Sequence, residues 1–302
     1  MNEFAKKNFN LILLLSTVAG FVVPPPGELA GSLILGVLCL IIFASSFNVN
    51  FSLSFFRAQA RAMAQFYLLR FLLLPILLYG LIAPWSPTYA ACLFLLSVVP
   101  AGVTSPAFTN VFGGNVALAL AVLILSSALT PLVLPFLGGL LMAETLEVDL
   151  LRLFATLFIT VVFPYVAHLP FRRKRSVRLW MQTHDSFISI TGIGLIFTLA
   201  IARYRPLLWT DTGVLVPYLL VSFLAFLFLY GVGWWALPRA AKADKLALLF
   251  SSGANNVALG VVVSFLYFPH EVGIFFVVCQ IMWVVVLIPV RRITQGIGDV
   301  QR

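Results

Sequence analysis

Long uncharged, apolar runs separated by short charged or Pro/Gly-rich clusters set the pattern of this chain. They occupy residues 8–27, 29–56, 71–143, 153–171, 186–202, 212–238, 246–270 and 272–290. A helix needs about 20 apolar residues to cross a hydrocarbon core of ~30 Å. The 71–143 run therefore holds the bodies of three spans. Dividing the runs at their Pro and Gly clusters predicts ten spans, over 8–23, 31–50, 63–83, 88–112, 115–142, 151–171, 182–203, 213–236, 245–267 and 271–290. The expected fold is all-α and integral to the membrane, a single transmembrane unit over 1–302.

Composition agrees: 62% of residues are apolar and 10% charged, with a mean hydropathy of +1.07. Soluble domains are nearer a quarter charged, so a soluble enzyme, a disordered chain and a nucleic-acid-binding module are excluded. The net charge of +9 reads first as a topology signal. With the N-terminus inside, the inner segments carry 15 of the 19 Lys and Arg residues, including Lys6, Lys7, Arg57, Arg61, Arg172, Arg173, Lys174, Arg175 and Arg178. Outer segments hold Arg152, Arg203 and Arg205 beside Glu28, Glu144, Glu147, Asp149, Asp211 and Glu271. This predicts a multi-pass protein of the plasma (bacterial inner) membrane with both termini cytoplasmic. Lys6-Lys7 before an apolar stretch also fits a signal peptide, but no small-x-small cleavage site precedes Pro24-Pro25-Pro26. The Asn50-Phe51-Ser52 sequon falls on the cytoplasmic side, and Cys39, Cys92 and Cys279 form no disulfide or metal pattern.

Two spans contain helix-breaking chemistry at matching positions. Span 4 is interrupted by Pro100-Ala101-Gly102-Val103-Thr104-Ser105-Pro106, and span 9 by Ser251-Ser252-Gly253-Ala254-Asn255-Asn256. Ten helices divide into five plus five, and an odd number per half inverts the second half relative to the first. Spans 4 and 9 are then equivalent. Unwound backbone at membrane depth survives only inside protein or beside a water-filled cavity, where it aims helix ends and carbonyls at a ligand. A proline kink or small-residue packing seam is the plainer explanation of one break; two matched breaks with clustered hydroxyls and amides point to a central binding site.

At these segments the chain resembles the bile acid:sodium symporter family of ten-helix transporters. That family's span-4 pattern, Pro-Gly-Gly-Thr-Ala-Ser-Asn and then Gly-Asn-Val-Ala-Leu, is met by Pro100, Gly102 and Ser105, and by Gly114-Asn115-Val116-Ala117-Leu118. Its span-9 pattern, Glu-x-Gly-x-Gln-Asn-x-x-Leu, reads here Ser251-Ser252-Gly253-Ala254-Asn255-Asn256-Val257-Ala258-Leu259, with Gly253, Asn256 and Leu259 in register. The resemblance implies two inverted five-helix repeats with helices 4 and 9 broken and crossing. It also implies a panel domain (8–50 and 151–203) and a core domain (63–142 and 213–290). The substrates it implies are amphipathic organic anions, carried with two sodium ions bound behind the crossover. Thr104, Ser105, Pro106, Asn115, Asn255 and Asn256 are the expected substrate and crossover residues.

The sodium sites are where this chain departs. By register the first site becomes Ser105, Pro106, Ala119, Leu123 and Ser251, in which Ala and Leu offer no side-chain oxygen and a hydroxyl replaces the family's carboxylate. The second family site uses span-9 carbonyls, a span-9 Gln and a span-3 Gln five residues before a proline. Here Ser251, Ser252 and Ala254 supply the backbone, Asn255 replaces the first Gln, and Arg70 stands five before Pro75. Phe71 to Ala83 is only 13 residues, about 20 Å, so span 3 must begin near Met63 and Arg70 lies within the membrane. An isolated charge there costs several kcal/mol. With no carboxylate inside a span, span-9 carbonyls and Asn255 are its expected partners. Arg70 is thus predicted to replace a sodium ion. Two Na⁺ and one Glu sum to +1, as do Arg70 and Ser251. Arginine keeps its charge in proteins, so proton coupling through it is not expected.

Other residues have plainer readings. Asp185 with His184 reads as a helix N-terminal acid rather than a proton relay. His168 and His270 read as interfacial, and Trp180, Trp209, Trp234 and Trp235 as an aromatic belt. Arg172–Arg178 anchors topology or binds anionic lipid, and Cys92 reads as packing rather than a thiol ligand. Ser45, Ser46 and Asn48 either face a substrate cavity or simply end their helix. The resulting expectation is a sodium-independent secondary transporter of small organic anions, its oligomeric state left open and compatible with a monomer, with no enzyme activity, no resident cofactor or metal, and no nucleic-acid partner. The alternatives are a sodium-coupled symporter with a weak cation site, a channel, and an intramembrane enzyme, whose nucleophile–base pairs are missing.

Overall fold

In the computed structural model, residues 8–27, 29–48, 53–142, 149–210 and 212–299 are described. Lys6, Lys7, Glu28, Asn50, Glu144, Glu147, Asp211 and Arg302, which enter the charge and sequon readings, lie outside them. The described chain forms α1 (Phe9–Val22), α2 (Leu29–Ser46), α3 (Leu53–Tyr67), a π-turn (Leu68–Leu73), α4 (Leu74–Ile82), α5 (Pro87–Val98), α6 (Ser105–Val111) and α7 (Val116–Met142). It continues with α8 (Leu150–Leu157), a second π-turn (Phe158–Val162), α9 (Phe163–Arg172), α10 (Arg175–Thr210), α11 (Thr212–Trp235), α12 (Lys242–Gly253), α13 (Val257–Tyr267) and α14 (His270–Asp299).

Among the described residues, six helical stretches are long and apolar enough to cross a membrane: Gln59–Ile82, Val116–Met142, Leu150–Arg172, Arg175–Pro206, Leu215–Trp235 and His270–Thr294. Four shorter apolar helices stand among them, Leu11–Val22, Ala30–Ser46, Pro87–Val98 and Val257–Tyr267. Leu14, Leu81, Phe136, Leu151 and Val216 are all exposed on the perimeter, while Arg70, Ser105, Ser251, Ser252 and Gln280 are completely buried. Apolar side chains outside and polar ones within is the arrangement a hydrocarbon solvent requires.

Several helix ends and one buried residue depart from the sequence expectation. The third helix starts at Leu53 instead of near Met63, because the strong helix formers of LSFFRAQARAMAQFY prolong it as an amphipathic segment carrying exposed Arg57 and Arg61. The seventh span extends through α10 from Arg175 to Thr210, so Asp185 lies inside the helix and is not an N-terminal acid. Instead it ties helices together. Ser45 Oγ donates to Asp185 Oδ1 (3.0 Å) and Asn48 Nδ2 to Oδ2 (2.8 Å), joining the end of α2 to α10. His168, expected at an interface, is completely buried and has its ring 5.4 Å from that of Phe47.

Both π-turns end two residues before a proline, Pro75 and Pro164. Proline supplies no N–H to the preceding turn and crowds the carbonyl four residues back, and widening the helix there relieves both. Close helix packing depends on small residues. A Cβ at Gly194 would lie 2.5 Å from Ser16 Oγ, and one at Gly20 would lie 2.6 Å from Ile201 Cβ. These pairings run α1 parallel to α10. Gly192 against Ile41, with Ser45 against Asp185, runs α2 antiparallel to it.

Candidate functional site

Helices α5 and α6 belong to one interrupted segment, and α12 and α13 to another. The interruptions meet. Gly102 N donates to Ala254 O (2.6 Å) and Asn256 N donates to Pro100 O (2.9 Å), forming an isolated antiparallel bridge between Ala101 and Asn255. A Cβ at Gly102 would stand 2.7 Å from Ala254 O, so only glycine permits this approach. The two expected breaks therefore cross, with backbone bonded to backbone.

The break in α5 leaves carbonyls without helical donors. Pro100 has no N–H for Leu96 O, and Ala101 N is engaged by Ser126 Oγ (3.2 Å) instead of Ser97 O. Asn255 Nδ2 donates to Leu96 O (2.7 Å) and Arg70 Nη1 donates to Ser97 O. On the other helix end, Arg70 Nη2 donates to Ser252 O (3.1 Å) and to Asn255 Oδ1 (3.1 Å), and Nε to Ser252 Oγ (2.9 Å). The guanidinium thus bridges the C-terminal, electronegative ends of α5 and α12. Its Cζ lies 4.9 Å from the ring centre of Phe71, a cation–π contact. Orientation is fixed from behind, since Ser252 Oγ donates to Leu229 O (2.5 Å). No carboxylate touches Arg70 among the described residues; its four hydrogen-bond acceptors are neutral.

Arg70, Ser252 and Asn255 are brought together as the sequence suggests. Ala254 O is bonded to Gly102 rather than to Arg70, and the Ser97 carbonyl takes its place. That contact was not legible, because it depends on which carbonyl the α5 break frees. Ser105 and Ser251 are completely buried behind the crossover, with neither hydroxyl hydrogen-bonded among the described residues. Ala119 and Leu123 are buried apolar residues. Among these first-site equivalents, the side-chain oxygens are the two serine hydroxyls.

A small cleft of about 40 Å³ opens at the crossover. One wall is apolar, from Leu38, Ile41 and Ile42 of α2 and Ile193 and Phe197 of α10. The opposite wall presents Gly102, Thr104, Asn255 and Asn256, with Trp283 of α14 between. Thr104 precedes α6, and Asn256 caps α13 by accepting from Leu259 N (3.1 Å). Pro106 is buried in the first turn of α6 and is not part of the lining. Asn115 is also elsewhere. Its Nδ2 donates to Asp244 Oδ1 (2.7 Å), its N to Ala243 O (2.8 Å), and its Oδ1 caps Leu118 N (3.1 Å). It joins the start of α7 to the start of α12. Ser45 and Asn48 bind Asp185 and do not line the cleft.

The Sodium Bile acid symporter family profile matches residues 35–205, more than half of the chain. Two Bacillus subtilis (strain 168) proteins are similar along most of their length. One, "Uncharacterized protein YbaS", is 22% identical over 248 residues, 79% of this chain and 80% of that protein. The other, "Uncharacterized sodium-dependent transporter YocS", is 24% identical over 274 residues, 89% and 84% of the two chains. The crossing of two interrupted helices, the all-helical membrane architecture and these matches lead to one assignment: the chain belongs to the sodium bile acid symporter family.

Proposed function

We propose that this membrane transporter carries small amphipathic organic anions by alternating access without sodium, Arg70 serving as the fixed cation of its crossover. The observation that carries this reading is the guanidinium itself, completely buried and held by Ser97, Ser252 and Asn255. It stands where family resemblance would put the second sodium ion. A tethered charge keeps the two helix ends together without a coupling ion. A further sodium ion beside it would lack a carboxylate.

The cleft supports the substrate class. Its apolar wall suits a hydrophobic body, and its Thr104, Asn255 and Asn256 wall suits a polar head beside the N-terminal end of α13. Drug-sized ligands occupy about 300–1,000 Å³, so the wall formed by α2 and α10 must move from the crossover for substrate to enter. We assign α1, α2 and α8–α10 to a panel that moves against a core of α3–α7 and α11–α14, the halves being inverted repeats. The inner membrane with cytoplasmic termini is the corresponding placement.

One observation favours a second reading, a sodium-coupled symporter: the unbonded hydroxyls of Ser105 and Ser251 are the remnant a weak cation site would leave. Flux of labelled organic anions into proteoliposomes separates the two. Uptake or exchange that is equal with Na⁺ and with choline supports the first reading. Strict dependence on a Na⁺ gradient refutes it.

A further inference from the structure

Two apolar clefts adjoin on the outer surface, apart from the substrate cleft. One, of about 220 Å³, lies between Leu69, Leu73 and Leu77 of the third span and Val232, Trp235 and Ala236 at the end of α11. The other, of about 240 Å³, is bounded by Leu78, by Leu96 and Ser97 of α5, and by Ala225, Phe228 and Leu229 of α11. Leu77 and Leu78 are neighbours and Val232 is one turn from Phe228, so the two form one groove between the third span and α11. Its rims are open, since Leu73, Leu77, Phe228 and Trp235 are exposed. Leu69 to Leu78 is about 13 Å along a helix, close to the half of a ~30 Å hydrocarbon core that one acyl chain crosses.

Exposed cations stand at one end of this groove. Arg57, Arg61, Gln65, Leu69, Leu73 and Leu77 are all exposed and recur every four residues, one ridge of the helix surface that passes from charge to hydrocarbon. On the facing wall Trp235, a residue type favoured at the membrane interface, stands at the same end, and exposed Arg239 follows Ala236 by three residues. Arg57, Arg61 and Arg239 have no carboxylate partner among the described residues. Asp244, the acid nearest to Arg239 in the chain, is engaged by Asn115. Toward the far end neither wall carries charge, as no Asp, Glu, Lys or Arg occurs in 71–143 or 212–238. Basic side chains at the mouth of an apolar groove select an anionic lipid head group over a zwitterionic one.

The inner end of the groove rests on the supports of the crossover. Leu96 O accepts from Asn255, Ser97 O from Arg70 and Leu229 O from Ser252 Oγ, and all three of these residues line the inner cleft. A chain filling it packs against the helices that hold the guanidinium.

We infer that this groove seats one anionic phospholipid, its acyl chain lying along Leu69–Leu78 against Phe228 and its head group on Arg57, Arg61 and Arg239, and that the bound lipid braces the crossover from the bilayer side. The test is thermal melting of the purified full-length protein in neutral-detergent micelles with graded dioleoyl phosphatidylglycerol or dioleoyl phosphatidylcholine at constant ionic strength. The expected result is a saturable rise specific to phosphatidylglycerol, roughly 5 °C at a hundredfold excess over the half-saturating level. Arg57→Gln with Arg61→Gln should raise that level roughly fivefold for each arginine removed. Ala225→Phe, which fills the inner cleft and leaves the arginines in place, should abolish the rise. If Ala225→Phe does not fold, photocrosslinking decides: phosphatidylglycerol with a diazirine in its acyl chain should label 69–78 and 221–236 of the wild type in excess over the matching phosphatidylcholine. Equal melting in the two lipids, a preference unchanged by the arginine substitutions, or label spread evenly over the perimeter overturns the proposal. So does a disulfide-linked dimer through Leu77→Cys in lipid nanodiscs, which would make a second copy the occupant. The site places no demand on the coupling ion, so the sodium series leaves it untouched.

Discussion

Arg70 and Asn255 hold each other in one orientation: the guanidinium donates through Nη2 to Oδ1 at 3.1 Å, while the same amide donates through Nδ2 to the Leu96 carbonyl at 2.7 Å. A buried arginine from the third membrane segment is thereby bound to both interrupted helices. The charge is part of the crossover's construction, and removing it must be felt in stability and in transport together.

Arg70→Gln is expected to impair transport and to lower the melting temperature. Losing the guanidinium strips donors from Ser97 O, Ser252 O and Asn255 Oδ1, each unpaired group costing about 1–3 kcal/mol. Arg70→Lys should recover only part of this loss, since an ammonium cannot span both helix ends as a fork. Melting curves and anion flux of the two variants side by side check this.

Gly102→Ala should destabilise by about 1–3 kcal/mol through overpacking, because its Cβ would press on Ala254 O at 2.7 Å. Gly80→Ala is the control, having nothing within 4 Å of the added carbon. Denaturation of both variants in the same detergent should show a loss for the first and little change for the second.

Tyr204 of α10 packs against Gly273 of α14 and lies 6.1 Å from the ring of Phe265 on α13. This contact joins the proposed panel to the proposed core at the end where Arg203 and Arg205 bond Gly27, Phe21 and Val23 carbonyls. Tyr204→Ala is expected to loosen that seal. With Cys39, Cys92 and Cys279 replaced, a Thr104→Cys probe should then react faster with an impermeant maleimide added from that side.

Asn115→Ala and Asp244→Ala should each lower stability by about 1 kcal/mol, the usual loss for an N-cap or a buried hydrogen bond. Because the two side chains bond each other at 2.7 Å, the double variant should cost less than the sum. A double-mutant cycle by chemical denaturation measures the difference.

Much of this was legible because hydrocarbon solvent leaves few choices. The apolar runs located the apolar helices, the Pro100–Pro106 and Ser251–Asn256 clusters located the breaks, and the shortness of the run after Arg70 pointed to a buried arginine. What was not legible depends on three-dimensional register. Asn115 carries a family motif, yet its amide goes to Asp244 and a helix cap, far from the cleft. The Ser97 carbonyl became a ligand of Arg70 because Ser126 took the N–H of Ala101.

Sodium dependence of stability tests the central claim most directly. Melting of the purified protein is followed as choline is exchanged for Na⁺ at constant chloride. A site that binds Na⁺ would add about 2.7 kcal/mol at a hundredfold excess over its Kd. With Arg70 as the crossover's cation, the series should be flat for the wild type. A saturable, Na⁺-specific rise that disappears in Ser251→Ala would contradict the account.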